Sequence, residues 1–265
     1  MRRTPVYALA VGVPLVIVTA AVTLVAASGE RPAGPRPPAA APPAAAGPAP
    51  DGEVVLGDGR DRTASVTASD WATYADHVVV VTVVGESKRS PSRTEVERRE
   101  GMIGRTVSLR VDKVLWSAPD TPQPAPATLL ESVPGWVFND NDGRGTRKFA
   151  IKNSSRVEVG HTYVKALEWE DDVCSDDPAK GRWEGLGSGG VIPFDGGVLG
   201  VGEFEGRPRT LAEARASLRG VDPVLRGVRE QTLGAPVSTL VEQVRVAAPR
   251  AELEHGPGEC NPNDK

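Results

Sequence analysis

Histidine is scarce: His77, His161 and His255 are the three in 265 residues. No H-E-x-x-H or related metal-ligand spacing joins them, so the familiar zinc hydrolase signatures are missing. A G-x-S-x-G nucleophile elbow is missing too, and Gly187-Ser188-Gly189 is only a fragment of one. A triad assembled in three dimensions stays open, because triads are recognised by geometry and not by order. Cysteine is limited to Cys174 and Cys260, too few for a thiolate zinc site and not arranged as C-x-x-C. There is no basic stripe. The formal net charge is -4, and nucleic acid is not an expected partner. Aromatic residues make up 5%, and five of them are tryptophan.

Against these absences stands a strong N-terminal signal. Arg2 and Arg3 precede Val6 to Ala27, an uncharged apolar stretch. A bilayer core of about 30 Å needs about 20 helical residues, so residues 6–27 can span it. The flanking arginines place the N-terminus in the cytoplasm and the remainder outside. The segment 1–27 therefore reads as a signal-anchor, giving a single-pass cell-membrane protein. Val25-Ala26-Ala27 before Ser28 also fits a cleaved signal peptide, which would make the chain secreted. In either case the body lies outside the cytoplasm, where Cys174 and Cys260 are expected to pair as a disulfide.

Residues 28–50 hold eight prolines and no large apolar side chain. Such a segment cannot bury a core, and it reads as a disordered Pro/Ala-rich linker. From residue 51 short strands begin. HVVVVTVV, residues 77–84, is a β-branched run suited to a strand covered on both faces. In residues 105–116, Val107, Leu109 and Val111 share a face before the alternation slips at Asp112-Lys113, which predicts a β-bulge. Residues 86–104 between them read as a long, solvated, mobile connection. Further strands are expected over 127–132, 135–138, 146–151, 162–169, 190–194 and 198–204, with a turn at Asn139 to Gly143. The last fifty residues turn helical. Thr210 with Glu213 is a capping-box signature, Asp222-Pro223 opens a second helix, and Ser238 a third.

Two motifs raise the question of ligands. GLGSGG, residues 185–190, matches G-x-G-x-x-G, but Pro193 and Gly196-Gly197 forbid the helix that a dinucleotide site requires. It reads as a turn, and no cofactor is expected. FNDNDGRG puts Phe138 and Phe149 where an EF-type loop needs carboxylates, so that match fails. Glu170, Asp171, Asp172, Asp176 and Asp177 read as a solvated loop beside Cys174, and no metal site is assigned. Trp71, Trp116, Trp136, Trp169 and Trp183 all lie in or beside strand segments. Most are expected to fill core. Trp136, Trp169 and Trp183 are the candidates for stacking on a sugar or peptide ligand.

The segments ADHVVVVTVVGE, GRTVSLRVDKVLW and VGHTYVKALEW resemble the strands of OB-like domains, in the variety found in netrin-like modules and tissue inhibitors of metalloproteinases. That likeness implies an OB-like antiparallel β-barrel. It implies no inhibitory residue, because such inhibitors use an N-terminal cysteine that the mature domain here lacks. The whole chain also resembles membrane-anchored or secreted proteins of actinobacteria, which implies a location and no activity. The expected fold is mainly β (α+β): a barrel over 51–206 and a helical extension packed on it over 207–265, preceded by one transmembrane helix. Its expected role is binding or structural at the cell envelope, toward an envelope protein or a cell-wall polymer. The alternative is an extracytoplasmic hydrolase whose catalytic set is not visible in sequence. A pocket gathering His161 or His77 with a carboxylate and a serine would favour that alternative.

Overall fold

In the computed structural model, residues 53–251 are described, apart from 142–144, 173, 176, 178 and 179. The chain divides into two units, Met1–Gly47 and Pro48–Lys265. The 6–27 span, the 28–50 linker and Cys260 lie outside the described residues. Among the described residues no helix is long and apolar enough to cross a membrane.

Strand β1 (Val55–Gly57) comes first, then helix α1 (Ala68–Tyr74). Thr67 caps α1 with Asp70 in a reciprocal capping box, satisfying amides that a helix N-terminus leaves unpaired. Strand β2 (His77–Lys88), helix α2 (Arg93–Arg98) and strand β3 (Glu100–Ser117) follow. Then come β4 (Thr128–Asn139), β5 (Gly145–Ile151), β6 (Thr162–Asp171), β7 (Gly181–Gly185) and β8 (Val191–Pro193). A hairpin of β9 (Gly202–Phe204) and β10 (Arg207–Arg209) precedes α3 (Leu211–Ser217), α4 (Val228–Gln231) and α5 (Val237–Val246).

The main sheet runs β1-β5-β4-β3-β2-β6-β7, with β8 also paired to β6. All its pairings are antiparallel except β1 with β5. Strands β2 and β6 are covered on both sides, as continuous apolar runs require. Val78, Val80, Val164 and Ala166 face a cluster with Trp71, Leu240 and Val244, which belong to α1 and α5. Val79, Val81, Val83, Tyr163 and Leu167 face the other way, onto Val107, Leu109, Leu129 and Trp183. Trp71 is fully buried, and its Nε1–H donates to the Ser65 carbonyl at 2.7 Å.

Several expectations change. The described strands make an open, mixed sheet and not a closed antiparallel barrel: β1 pairs in parallel, and β7 ends the hydrogen-bonded path without pairing to β4 or β5. The 86–104 connection is not a long loop. There β2 and β3 continue as a ladder through Lys88–Arg105, and α2 with its own capping box fills the turn. The bulge at Asp112 is present, and Leu115 and Val84 are further unpaired residues that twist the same ribbon. Residues 127–132 and 135–138 form one strand, β4. Asp222-Pro223 opens only a short 3-10 turn.

Candidate functional site

The GLGSGG stretch shows why no phosphate belongs there. Its amides already have an acceptor, since Ser188 N–H donates to the Asp61 carboxylate at 2.9 Å and Gly189 N–H to Ser65 Oγ at 3.0 Å. Asp61 also takes the Ser188 and Ser65 hydroxyls, at 2.8 and 2.7 Å. A nest of backbone amides that binds an external anion must be vacant, and this one is filled by the chain's own carboxylate. Gly187, at φ +88°, makes the reversal out of β7, and a 3-10 turn then leads into β8.

Among the described residues, His77 and His161 do not converge on a cleft. His77 Nε2 lies 3.0 Å from the Gln123 carbonyl, which can only accept, so Nε2 carries a proton, and Nδ1 lies 2.8 Å from Ser117 Oγ. His161 Nδ1 meets Asp195 Oδ2 at 2.5 Å, and Asp195 also accepts from Thr162 N–H. Neither histidine lines either of the two cavities described below. Among the described residues, no group of three histidine, cysteine or acidic side chains could hold a metal.

The three stacking candidates fall into two settings. Trp169 and Trp183 are cross-strand partners with ring centres 5.2 Å apart, edge to face. Trp183 is 9% exposed and also lies against His77, so its ring fills core. Trp136 sits apart on β4, with Lys88 Nζ 4.3 Å and the Arg156 guanidinium 5.0 Å from its ring centre. Cys174 lies in the β6–β7 connection, where its N–H donates to Asp172. In the acidic stretch, Glu170 pairs with Arg62 and Arg182. Beside it, Glu168 faces Glu184 across the ladder, and burial pushes the Glu168 carboxyl above its ordinary range.

One cavity is hardly legible in the sequence. It has a volume of about 670 Å³ and lies between the β9–β10 hairpin and the segment from α3 to α4. Four arginines line it: Arg207, Arg209, Arg226 and Arg229. The acids in its wall have partners already, one of them within the cleft. Glu230 pairs with Arg229, Glu213 closes the α3 capping box, and Glu205 accepts from Asn153 N–H. Arg209 lies flat on Phe204, its guanidinium carbon 3.7 Å from the ring centre, and Arg229 approaches the same ring at 4.9 Å.

The Arg209 guanidinium donates no hydrogen bond to any described residue, and its buried Nε has no partner. Burial, reinforced by the charge of Arg229, pulls its guanidinium below the ordinary value. A guanidinium stays charged in proteins, so this is a half-buried cation with its donors unspent. The sequence carried a faint trace of it in the run EFEGRPR before Thr210, but only folding brings Arg226 and Arg229 alongside. No protein-family model matches the chain, and no curated protein and no solved structure proves similar to it.

Proposed function

We propose that this chain is a membrane-anchored, extracytoplasmic binding module of the cell envelope that takes an anionic group in its arginine cleft. One observation carries the reading: Arg209, stacked on Phe204 in the arginine-lined cavity, with its guanidinium donors unused. A fork of planar donors against an aromatic ring suits a carboxylate or phosphate, which accepts two parallel bonds from one guanidinium. Anionic groups borne on an envelope protein or a cell-wall polymer are the class of partner that this chemistry recognises. The location rests on Arg2-Arg3 and residues 6–27, and a disulfide between Cys174 and Cys260 belongs to the same compartment. The meander β2-β3-β4 with β6 against β2 supports describing the sheet as an opened relative of the OB-like arrangement.

Citrate, inorganic phosphate and a phosphodiester polymer titrated into the protein test this reading. At least one is expected to bind saturably, and Arg209→Ala should weaken it ten- to a hundredfold. That follows from about 1.5–3 kcal/mol for a hydrogen bond to a charged group. Binding that ignores Arg209→Ala would falsify the cleft as the site. For the disulfide, alkylation without reductant followed by mass measurement should leave both cysteines unlabelled. Labelling of Cys174 or Cys260 would remove the bridge.

A further inference from the structure

Beneath the GLGSGG turn lies a second cavity of about 250 Å³, bounded by β4, the segment Ser154–Val157, β6 and Gly185. At its wall Lys165 of β6 is 2% exposed and pairs with Glu131 of β4, Nζ to Oε2 2.5 Å. An ammonium has three donors, and Lys165 gives one of them to a described residue. The other Glu131 oxygen, Oε1, accepts no hydrogen bond from a described residue. The Glu131 side chain is 12% exposed, so Oε1 is open to a water or a ligand from the cavity it lines. Gly185 keeps the space open. A Cβ there would lie 2.8 Å from Glu131 Oε1 and 3.0 Å from Lys165 Nζ.

We propose that this cavity is a binding site for a neutral, hydroxyl-rich ligand of about one sugar ring. Its charges select the class. Arg156 is spent on Glu158 and two carbonyls, and Asp61 on Ser65 and Ser188. Arg60 is exposed at the rim, which leaves Lys165 and Glu131 to face the ligand. A carboxylate or phosphate would meet Glu131, and a cation would meet Lys165, each at close range in a low-dielectric wall. A hydroxyl both donates and accepts. Two neighbouring hydroxyls accept from Lys165 Nζ and donate to Glu131 Oε1, which spends what the pair leaves unspent. Ala150, Ile151, Val157 and Val191 supply an apolar wall for the C–H face of a ring. The volume falls below the roughly 300–1,000 Å³ of sites for larger molecules. This site uses none of the four arginines of the larger cleft.

Calorimetric titration of the full chain with glucose, N-acetylglucosamine and glycerol, with gluconate as the anionic control, tests it. A neutral probe is expected to bind saturably, with gluconate at least tenfold weaker. Lys165→Met should weaken the neutral probe at least tenfold. Ser132→Trp should do the same by closing the mouth from an exposed position, which keeps the test alive if Lys165→Met does not fold. No binding by any neutral probe overturns the proposal. So does binding that both folded variants leave unchanged, or gluconate binding as tightly as glucose.

Discussion

Replacing Glu203 by alanine lowers the unfolding free energy by about 4 kcal/mol or more, the largest effect expected of a single substitution here. Glu203 is 1% exposed and accepts four hydrogen bonds. Oε1 takes Arg156 N–H at 3.0 Å and Gly206 N–H at 2.6 Å, while Oε2 takes Val157 N–H at 2.9 Å and the Tyr163 hydroxyl at 2.7 Å. Burial and the neighbouring Glu203 charge push the Tyr163 phenol far above its usual range, so Tyr163 acts as a neutral donor. Bonds to a charged group contribute about 1.5–3 kcal/mol each, and losing the acceptor strands three amides and a hydroxyl. The bonds are not additive, which is why the expected total stays below their sum.

Strain sharpens this expectation. Val157 is held at φ +64°, a left-handed conformation that costs a β-branched residue on the order of 1–3 kcal/mol. Glu203 is one of the groups that hold it there. Glu203→Gln preserves shape but turns an NH2 toward donors, so about 2 kcal/mol should be lost even in that variant. Denaturant unfolding gives the loss, and hydrogen exchange should show amides 156, 157 and 206 opening first. A loss under about 1 kcal/mol for the alanine variant would sink the argument.

Arg105→Ala is expected to cost about 3–5 kcal/mol, the second largest effect, because it removes the centre of a buried charge network. Arg105 is fully buried on β3. Its Nη1 meets Glu86 at 2.8 Å, Nε donates to the Pro134 carbonyl at 3.1 Å, and Nη2 donates to the Arg156 carbonyl. Lysine cannot reproduce that fork, so Arg105→Lys should recover little. Arg105 and Glu203 grip the same residue, one by the carbonyl of Arg156 and the other by its amide. The double variant should therefore lose less than the sum of the singles, with a coupling of at least about 1 kcal/mol. Strict additivity in the cycle would show that the two do not share the segment.

What these clamps hold is Ser154–Val157, a connection buried along its whole length. Connections are normally exposed because their backbone groups need water, and nothing in SSRV announces an exception. The partners that make burial possible stand far away in the chain, at Arg105 and Glu203. Glu203 reads locally as one acid in GEFEGR, between glycines. Lys165 was likewise hidden, as one charged residue within an apolar strand, until the fold set Glu131 against it. The hairpin connection 86–104 misled for the opposite reason. Its charges decorate a ladder whose backbone pairing does not depend on them, so a polar stretch concealed the end of β2 and the start of β3 on either side of α2.

Local pattern alone determined the β-rich character, the two-sided burial of β2, the slip at Asp112, the capped start of α3 and the failure of GLGSGG as a phosphate loop. Each depends on residues a few positions apart, where side-chain alternation, glycine and proline geometry or a capping hydroxyl act directly on the neighbouring backbone. Only the tertiary structure decided that the sheet stays open, that Val157 takes a left-handed turn under Glu203, that Arg209 keeps its donors unspent on Phe204, and that Lys165 meets Glu131 beneath Gly185. Apart from the Arg209–Phe204 stack within one hairpin, those arrangements join groups tens of residues apart, and their energies arise from burial and lost water, which appear when the chain has folded.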